Sequence, residues 1–191
     1  MKEPFELSDE FECAVGNLLS DALLDRMQGA QIALTLSGQW ETGLDAGRLS
    51  QGALFAANRS TANPAKLVLT GAQILHFLKE SGKAENRLRT LHALRGRAIG
   101  GPHIAGAVIR YGEDPDELIV EINDKRMDPE QKYVVTSTDM EFSDWVGYLV
   151  IPEEQIEFEV PTIMPEVLQE YILKCGVVER PKHRFVAAPG K

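Results

Sequence analysis

Hydrolysis, transfer or redox chemistry needs nucleophiles, acids, bases or metal ligands at workable spacing, and this chain offers few. The four histidines, His76, His92, His103 and His183, fall in no HExxH or DxH pattern, so no helix face carries paired imidazoles for a metal or a general base. His76 adjoins Phe77 in a helical pattern and reads as a packed or capping histidine. Cys13 and Cys175 are far apart and form no CxxC; they read as two buried free thiols rather than zinc ligands. There is no GxSxG elbow, P-loop or GxGxxG, and the glycines of "RGRAIGGPH" read as a loop. Asp114, Asp116 and Glu117 sit in a turn by composition and read as solvent-facing. No catalytic residue and no metal ligand is therefore assigned. One stretch does suit a ligand. "LTLSGQWETGLDAGRLSQGALF", Leu34 to Phe55, has the pattern of a strand, a tight turn and a helix entry. Loops of that kind hold phosphates or hydroxyls, yet this one carries Glu41 where an anion site calls for an arginine. Glu41 reads either as a contact for a cation or sugar hydroxyl or, more simply, as a side chain facing water. Trp40 and Trp145 read either as a new apolar pocket or, more simply, as packing residues.

The elements that must position these residues follow from periodicity. Val15, Leu18, Leu19, Ala22, Leu23 and Met27 form one apolar face, predicting a helix over 11–27 with Gly29 as its stop. "AQIALTL" predicts a buried strand, "LSQGALFAAN" a short helix and "AKLVLTG" a strand entering a second helix. Thr70 and Gln73 have capping-box spacing ahead of Ile74, Leu75, Phe77 and Leu78. The basic run over 82–97 (Lys83, Arg87, Arg89, Arg95, Arg97, flanked by Lys79 and Arg110) reads as a solvated helix face. "AGAVIRYG", "ELIVEIND" and "YVVTSTDM" read as strands, with "GEDPDE" and "NDKRMDPEQ" as turns. "MPEVLQEYILKCG" closes as a helix, with Pro165 in its first turn and Gly176 at its stop, and "RFVAA" as a last strand. Helices first, a strand cluster later and a closing helix predict an α+β fold with a mixed β-sheet packed with helices.

With 191 residues, 43% of them hydrophobic, the chain can bury one ordinary core. A net charge of −9 argues against a broad nucleic-acid footprint, which needs a basic surface. No window approaches the ~18 apolar residues of a membrane span, and the N-terminus has no apolar leader segment. As given, the chain reads as cytoplasmic; cut from a longer precursor, it would be periplasmic or extracellular.

The order of segments resembles the C-terminal domain of the 5'-nucleotidase family, the UDP-sugar hydrolase type. "ECAVGNLLSDALL" is similar to its opening helix through Glu12, Gly16, Asn17, Leu18, Asp21 and Ala22. "AQIALTLSGQWETGL" is similar to the strand and Asn/Gly/Arg turn that follow. "GALFAANRSTANPAKLVLTGAQI" is similar to the aromatic segment and the Leu-Thr-Gly-Ala-Gln helix start. "VEINDKRMDPEQKYVVTSTDM" resembles the later hairpin, "DMEFSDWVGY" the loop after it, and "VLQEYILKCGVV" the closing helix. The likeness divides the chain into an extension (1–10), the domain (11–186) and a tail (187–191). It implies a recognition domain for nucleotide catabolism that hydrolyses phosphoesters only with an N-terminal metallophosphatase domain or subunit. The divalent metals belong to that domain, so this chain alone should carry no cofactor.

The same likeness marks Ser37, Gly38, Glu41, Thr61, Asn63, Met140, Gly147 and Tyr148 as substrate-binding positions. Several depart from the family's residues. Glu41 stands at an arginine and Ser37 at an asparagine. Thr61 and Met140 stand at stacking phenylalanines, although a small shift would put Phe142 at the second. Trp145 and Val146 replace Gly and Asp, and an arginine near Asp9 and Phe11 is missing. Losing a charge-assisted bond costs about 1.5–3 kcal/mol, and losing each ring costs about 1–3 kcal/mol. The expected result is nucleotide affinity weakened by several orders of magnitude. Two further readings follow: a degenerate, non-catalytic binding or assembly module on the same fold, or the recognition domain of a related phosphoesterase with another small-molecule substrate.

Overall fold

The computed structural model describes residues 1–8, 12–112 and 118–187. Helix α1 (Ala14–Arg26) leads into strand β1 (Ile32–Leu36), helix α2 (Gln51–Ala57) and strand β2 (Pro64–Thr70). Helices α3 (Gly71–Gly82) and α4 (Ala84–Arg87) follow, then the short strands β3 (Thr90–Leu91) and β4 (Arg97–Ala98). Next come β5 (Pro102–Ala105), β6 (Val108–Tyr111), β7 (Leu118–Ile122), β8 (Lys125–Arg126), β9 (Lys132–Thr138) and β10 (Glu157–Phe158). Helix α5 (Met164–Cys175) and strand β11 (Phe185–Ala187) close the chain.

The main sheet runs β10-β2-β9-β1-β5 and is mixed: β1 lies parallel to β9, and its other pairs are antiparallel. A second sheet runs β11-β6-β7-β8, and β3 pairs with β4. The α+β expectation holds. Alternation along β1 explains why helices cover both faces. Ile32, Leu34 and Leu36 enter one apolar cluster with Leu67, Leu69, Val135, Ile74 and Phe77. Ala33 enters the other, with Leu18, Leu19, Leu23, Trp40 and Leu168. Thr70 caps α3: its hydroxyl accepts from Gln73 N at 3.2 Å, and Gln73 Oε1 accepts from Thr70 N at 2.9 Å.

The polar residues of the first helix have structural roles. The Glu12 carboxylate accepts from Asn17 Nδ2 (2.7 Å), Arg184 N (2.6 Å) and Phe185 N (3.2 Å). Arg184 holds both oxygens of Asp21, at 2.6 and 2.7 Å. Together they fasten β11 to α1. Gly16 makes room for His103, whose ring would lie 2.3 Å from any added Cβ. The ring's Nε2 accepts from Cys13 N at 2.8 Å, which requires a neutral imidazole. Burial holds its pKa down at about 4.

Several expectations are corrected. The basic run over 82–97 is no solvated helix face. After Gly82, only the four residues of α4 are α-helical; Arg95 then turns left-handed (φ 55°), and β3 and β4 pair back, so the arginines are redirected towards distant parts of the chain. "RGRAIGGPH" is not simply a loop, since it contains β4 and the start of β5. Cys175 is exposed, unlike the buried Cys13. His76 is exposed, because it falls off the apolar stripe of α3. The turn holding Asp114, Asp116 and Glu117, and the positions Asp9 and Phe11, lie outside the described residues. Among the described residues, no helix is long and apolar enough to cross a membrane.

Candidate functional site

At the C-terminal end of β1 the backbone enters a single 3-10 turn, Ser37–Gln39. Gly38 is held by close packing: a Cβ there would sit 2.3 Å from Ala98 O and 2.4 Å from Ile99 O. Its N–H donates to Ile99 O at 2.9 Å. Ser37 is fully buried, and its hydroxyl accepts from Gly101 N at 3.0 Å. Pinned in this way, the turn forms one wall of a cleft of about 360 Å³. The segment between α2 and β2 supplies Arg59, Ser60, Thr61 and Ala62. The β3–β4 turn supplies Ala93, Leu94 and Arg95, and the loop after β9 supplies Asp139, Met140, Ser143 and Trp145.

Of the positions marked in the sequence, Gly38, Glu41, Thr61 and Met140 line this cleft. The others do not. Ser37 lies beneath the surface and is committed to Gly101. Asn63 donates its amide to Thr162 O at 2.7 Å and braces Asp139 through its backbone. Gly147 takes a left-handed φ of 73° in the loop, and Tyr148 is buried with its ring edge-on to Phe77 at 5.7 Å. Phe142 is buried in the core and gives the cleft no ring face.

The charge of Glu41 is answered. Arg95 Nη1 lies 3.1 Å from Glu41 Oε1, and Arg97 Nη1 donates to Glu41 O at 3.4 Å. Glu41 therefore does not simply face water. Its partner lies 54 residues along the chain. Arg59 is exposed at the cleft and joins no ion pair among the described residues. The charged groups on the cleft are thus Glu41, Asp139, Arg59 and Arg95, two of each sign. Burial pushes the Asp139 carboxyl up, against backbone N–H donors that favour its ionised form.

The two tryptophans part company. Trp40 packs completely in the core, whereas Trp145 is 65% exposed on the cleft. Packing is therefore the wrong reading for Trp145: its loop carries Phe142, Val146 and Tyr148 inward and leaves the indole outside. The cleft offers a ring face, two guanidiniums and three hydroxyls, from Ser60, Thr61 and Ser143. Such a surface suits recognition of a flat, hydroxylated or anionic ligand. Among the described residues, no cluster of three or more His, Cys, Asp or Glu could hold a metal ion.

A group the sequence reasoning missed lies directly behind the cleft. Glu141 is completely buried and joins Gln39, Thr138 and Leu36 N. Burial pushes its carboxyl up to about 7, against those donors. The one signal in the sequence was an acid between Met140 and Phe142.

A family model described as "5'-nucleotidase, C-terminal domain" matches residues 4–153. No curated protein sequence matches the chain. Among solved structures, a 5'-nucleotidase precursor from Thermus thermophilus is similar over 100% of this chain and 39% of its own (TM-score 0.76, 19% identity). The NAD nucleotidase of Haemophilus influenzae is similar over 93% of this chain and 33% of its own (TM-score 0.73, 13% identity). A sulfate thiohydrolase from Thermus thermophilus, solved with glycerol, is similar over 100% of this chain and 34% of its own (TM-score 0.68, 18% identity). The chain thus spans only a third to two fifths of these proteins, and at such identities the likeness is one of fold.

Proposed function

The chain belongs to the family of the 5'-nucleotidase C-terminal domain, and from that membership we propose that it is the substrate-recognition half of a nucleotidase-type phosphoesterase. Hydrolysis would fall to a metallophosphatase domain or subunit. Paired metals there would stabilise the attacking and leaving oxygens, while this chain would hold the non-reacting part of the substrate.

One observation carries the reading. Three segments far apart in sequence, Gly38–Glu41, Ser60–Ala62 and Asp139–Trp145, converge on one cleft. They are the segments in which the family resemblance placed ligand contacts. The expected collapse of affinity at Glu41 is softened by its ion pair, since Arg95 supplies the cation that the turn itself lacks. Arg59 adds a second guanidinium, suited to phosphate or carboxylate oxygens. Trp145 offers a stacking face where Thr61 and Met140 do not.

Calorimetry of the purified chain with AMP, UMP and adenosine tests this. Saturable binding is expected, with no phosphate released when Mg²⁺, Mn²⁺ or Zn²⁺ is added. The reading fails if millimolar nucleotide gives no saturable heat, or if the chain alone releases phosphate.

A further inference from the structure

A buried acid touches the cleft through one intermediary. Glu141 Oε1 accepts from Gln39 Nε2 at 2.6 Å and from Leu36 N at 3.1 Å. Gln39 Nε2 also lies 3.2 Å from Thr138 Oγ1. On its other side, Gln39 Oε1 accepts from Ser60 Oγ at 2.8 Å, and Ser60 lines the cleft. An amide has two ends of opposite polarity, and here the environment decides which way it faces. Turned the other way, Gln39 would set its carbonyl oxygen 2.6 Å from a carboxylate oxygen, acceptor against acceptor, inside the core. Glu141 therefore locks the amide, and the amide locks the hydroxyl. The Ser60 proton is spent on Gln39 Oε1, and one Ser60 lone pair takes Ala62 N at 3.3 Å. Towards the cleft, Ser60 retains only an acceptor.

We propose that Glu141 is a positioning residue that makes Ser60 an acceptor, so that the cleft selects ligands presenting an O–H or N–H donor at that wall. This rests on the recognition role proposed above and adds to it: the ligand is read at a hydroxyl, in nucleoside terms a ribose hydroxyl, and not only through its phosphate. Protonation at Oε2, which faces Thr138, leaves Oε1 to accept from Gln39 and Leu36 N, so the lock does not depend on pH near neutrality. Among the described residues, the partners of its side chain are neutral: Leu36 N, Gln39 and Thr138. Mismatch is costly because a ligand seated on that wall covers the Ser60 acceptor and leaves it without a donor. Sites that hydrogen-bond a substrate hydroxyl discriminate strongly for that reason.

The test compares adenosine with 2'-deoxy-2'-fluoro- and 3'-deoxy-3'-fluoroadenosine, which replace a donor by a small non-donor. Binding is measured to the wild type, Ser60→Ala, Glu141→Leu and Glu141→Gln. In the wild type at least one fluoro analogue should bind ten-fold or more weaker than adenosine. Ser60→Ala and Glu141→Leu should reduce that ratio to two-fold or less. Glu141→Gln keeps a carbonyl acceptor for Gln39 and should restore it. Equal binding of all three nucleosides by the wild type overturns the proposal, as does a ratio unchanged in Ser60→Ala. A second readout needs no ligand. The side-chain NH₂ signals of Gln39 in ¹⁵N spectra should move strongly in Glu141→Leu and stay near wild type in Glu141→Gln; signals unmoved in Glu141→Leu overturn the lock. If no nucleoside binds while Gln39 behaves as stated, the recognition reading falls and the positioning role stands.

Discussion

Replacing Glu141 by Gln should tilt the stability of this protein against pH in a direction that the wild type conceals. Two fully buried groups titrate in opposite senses. The Glu141 carboxyl is raised from 4.5 to about 7 by burial. Between those values the native state holds a proton that the unfolded chain has released, so stability falls as pH rises through that window. The His103 ring is lowered from 6.5 to about 4, again chiefly by burial. Between those values the unfolded chain holds a proton that the native state excludes, so stability rises with pH. At about 1.4 kcal/mol per pH unit, each swing amounts to about 3 kcal/mol. The windows overlap from about pH 4.5 to 6.5, and there the two contributions nearly cancel. Glu141→Gln removes one of them. Its stability relative to the wild type should climb by about 3 kcal/mol between pH 4.5 and 7, whatever constant offset the new amide introduces. Urea unfolding at fixed ionic strength, at half-unit steps from pH 4 to 8, measures the difference directly. A difference curve flat to within about 0.5 kcal/mol would refute the reasoning, because Glu141 would then titrate alike in the folded and unfolded chains.

Three other outcomes follow from the geometry. Gly16→Ala should lower stability by about 2 kcal/mol or more, since its Cβ would fall 2.3 Å from the fully buried His103 ring, whose Nε2 is held by Cys13 N; denaturant midpoints check this. Trp145→Ala should change stability by less than about 0.5 kcal/mol, because the side chain is largely exposed. The same change should weaken AMP binding by about 1–3 kcal/mol if the ring stacks on the base, and calorimetry separates the two effects. Arg95→Ala should cost less than about 1 kcal/mol of stability, as its ion pair with Glu41 is half exposed. It should nevertheless weaken AMP more than adenosine, because Glu41 would then confront the phosphate unpaired; full retention of AMP affinity would show that the pair plays no part in binding.

Much of the fold was legible in the sequence because it rests on periodicity. The stripe from Val15 to Met27, the apolar run through Leu34 and the Thr70–Gln73 cap each encode one element locally. The run over 82–97 misled because its charges look solvated in sequence, while the partners that hold them are distant: Glu41 for Arg95, and Val146 O for Arg89. The candidate site was half legible. The segments that build the cleft could be named, but not which residues in them face it. Ser37 and Asn63 are turned to structural bonds with Gly101 and Thr162, and nothing in their spacing says so. Trp40 and Trp145 are equivalent as letters and opposite in space. Glu141 acquires its meaning only from Gln39, 102 residues earlier.

The central claim is that the cleft beside Glu41, Ser60 and Trp145 receives the ligand. The two indole N–H signals of the ¹⁵N-labelled chain, one from buried Trp40 and one from exposed Trp145, test it with an internal control. On titration with AMP, the Trp145 indole and the amides of Gly38, Thr61 and Met140 should shift together and saturate, while the Trp40 indole stays in place. Shifts that saturate on another face, or none at millimolar AMP, would contradict the account.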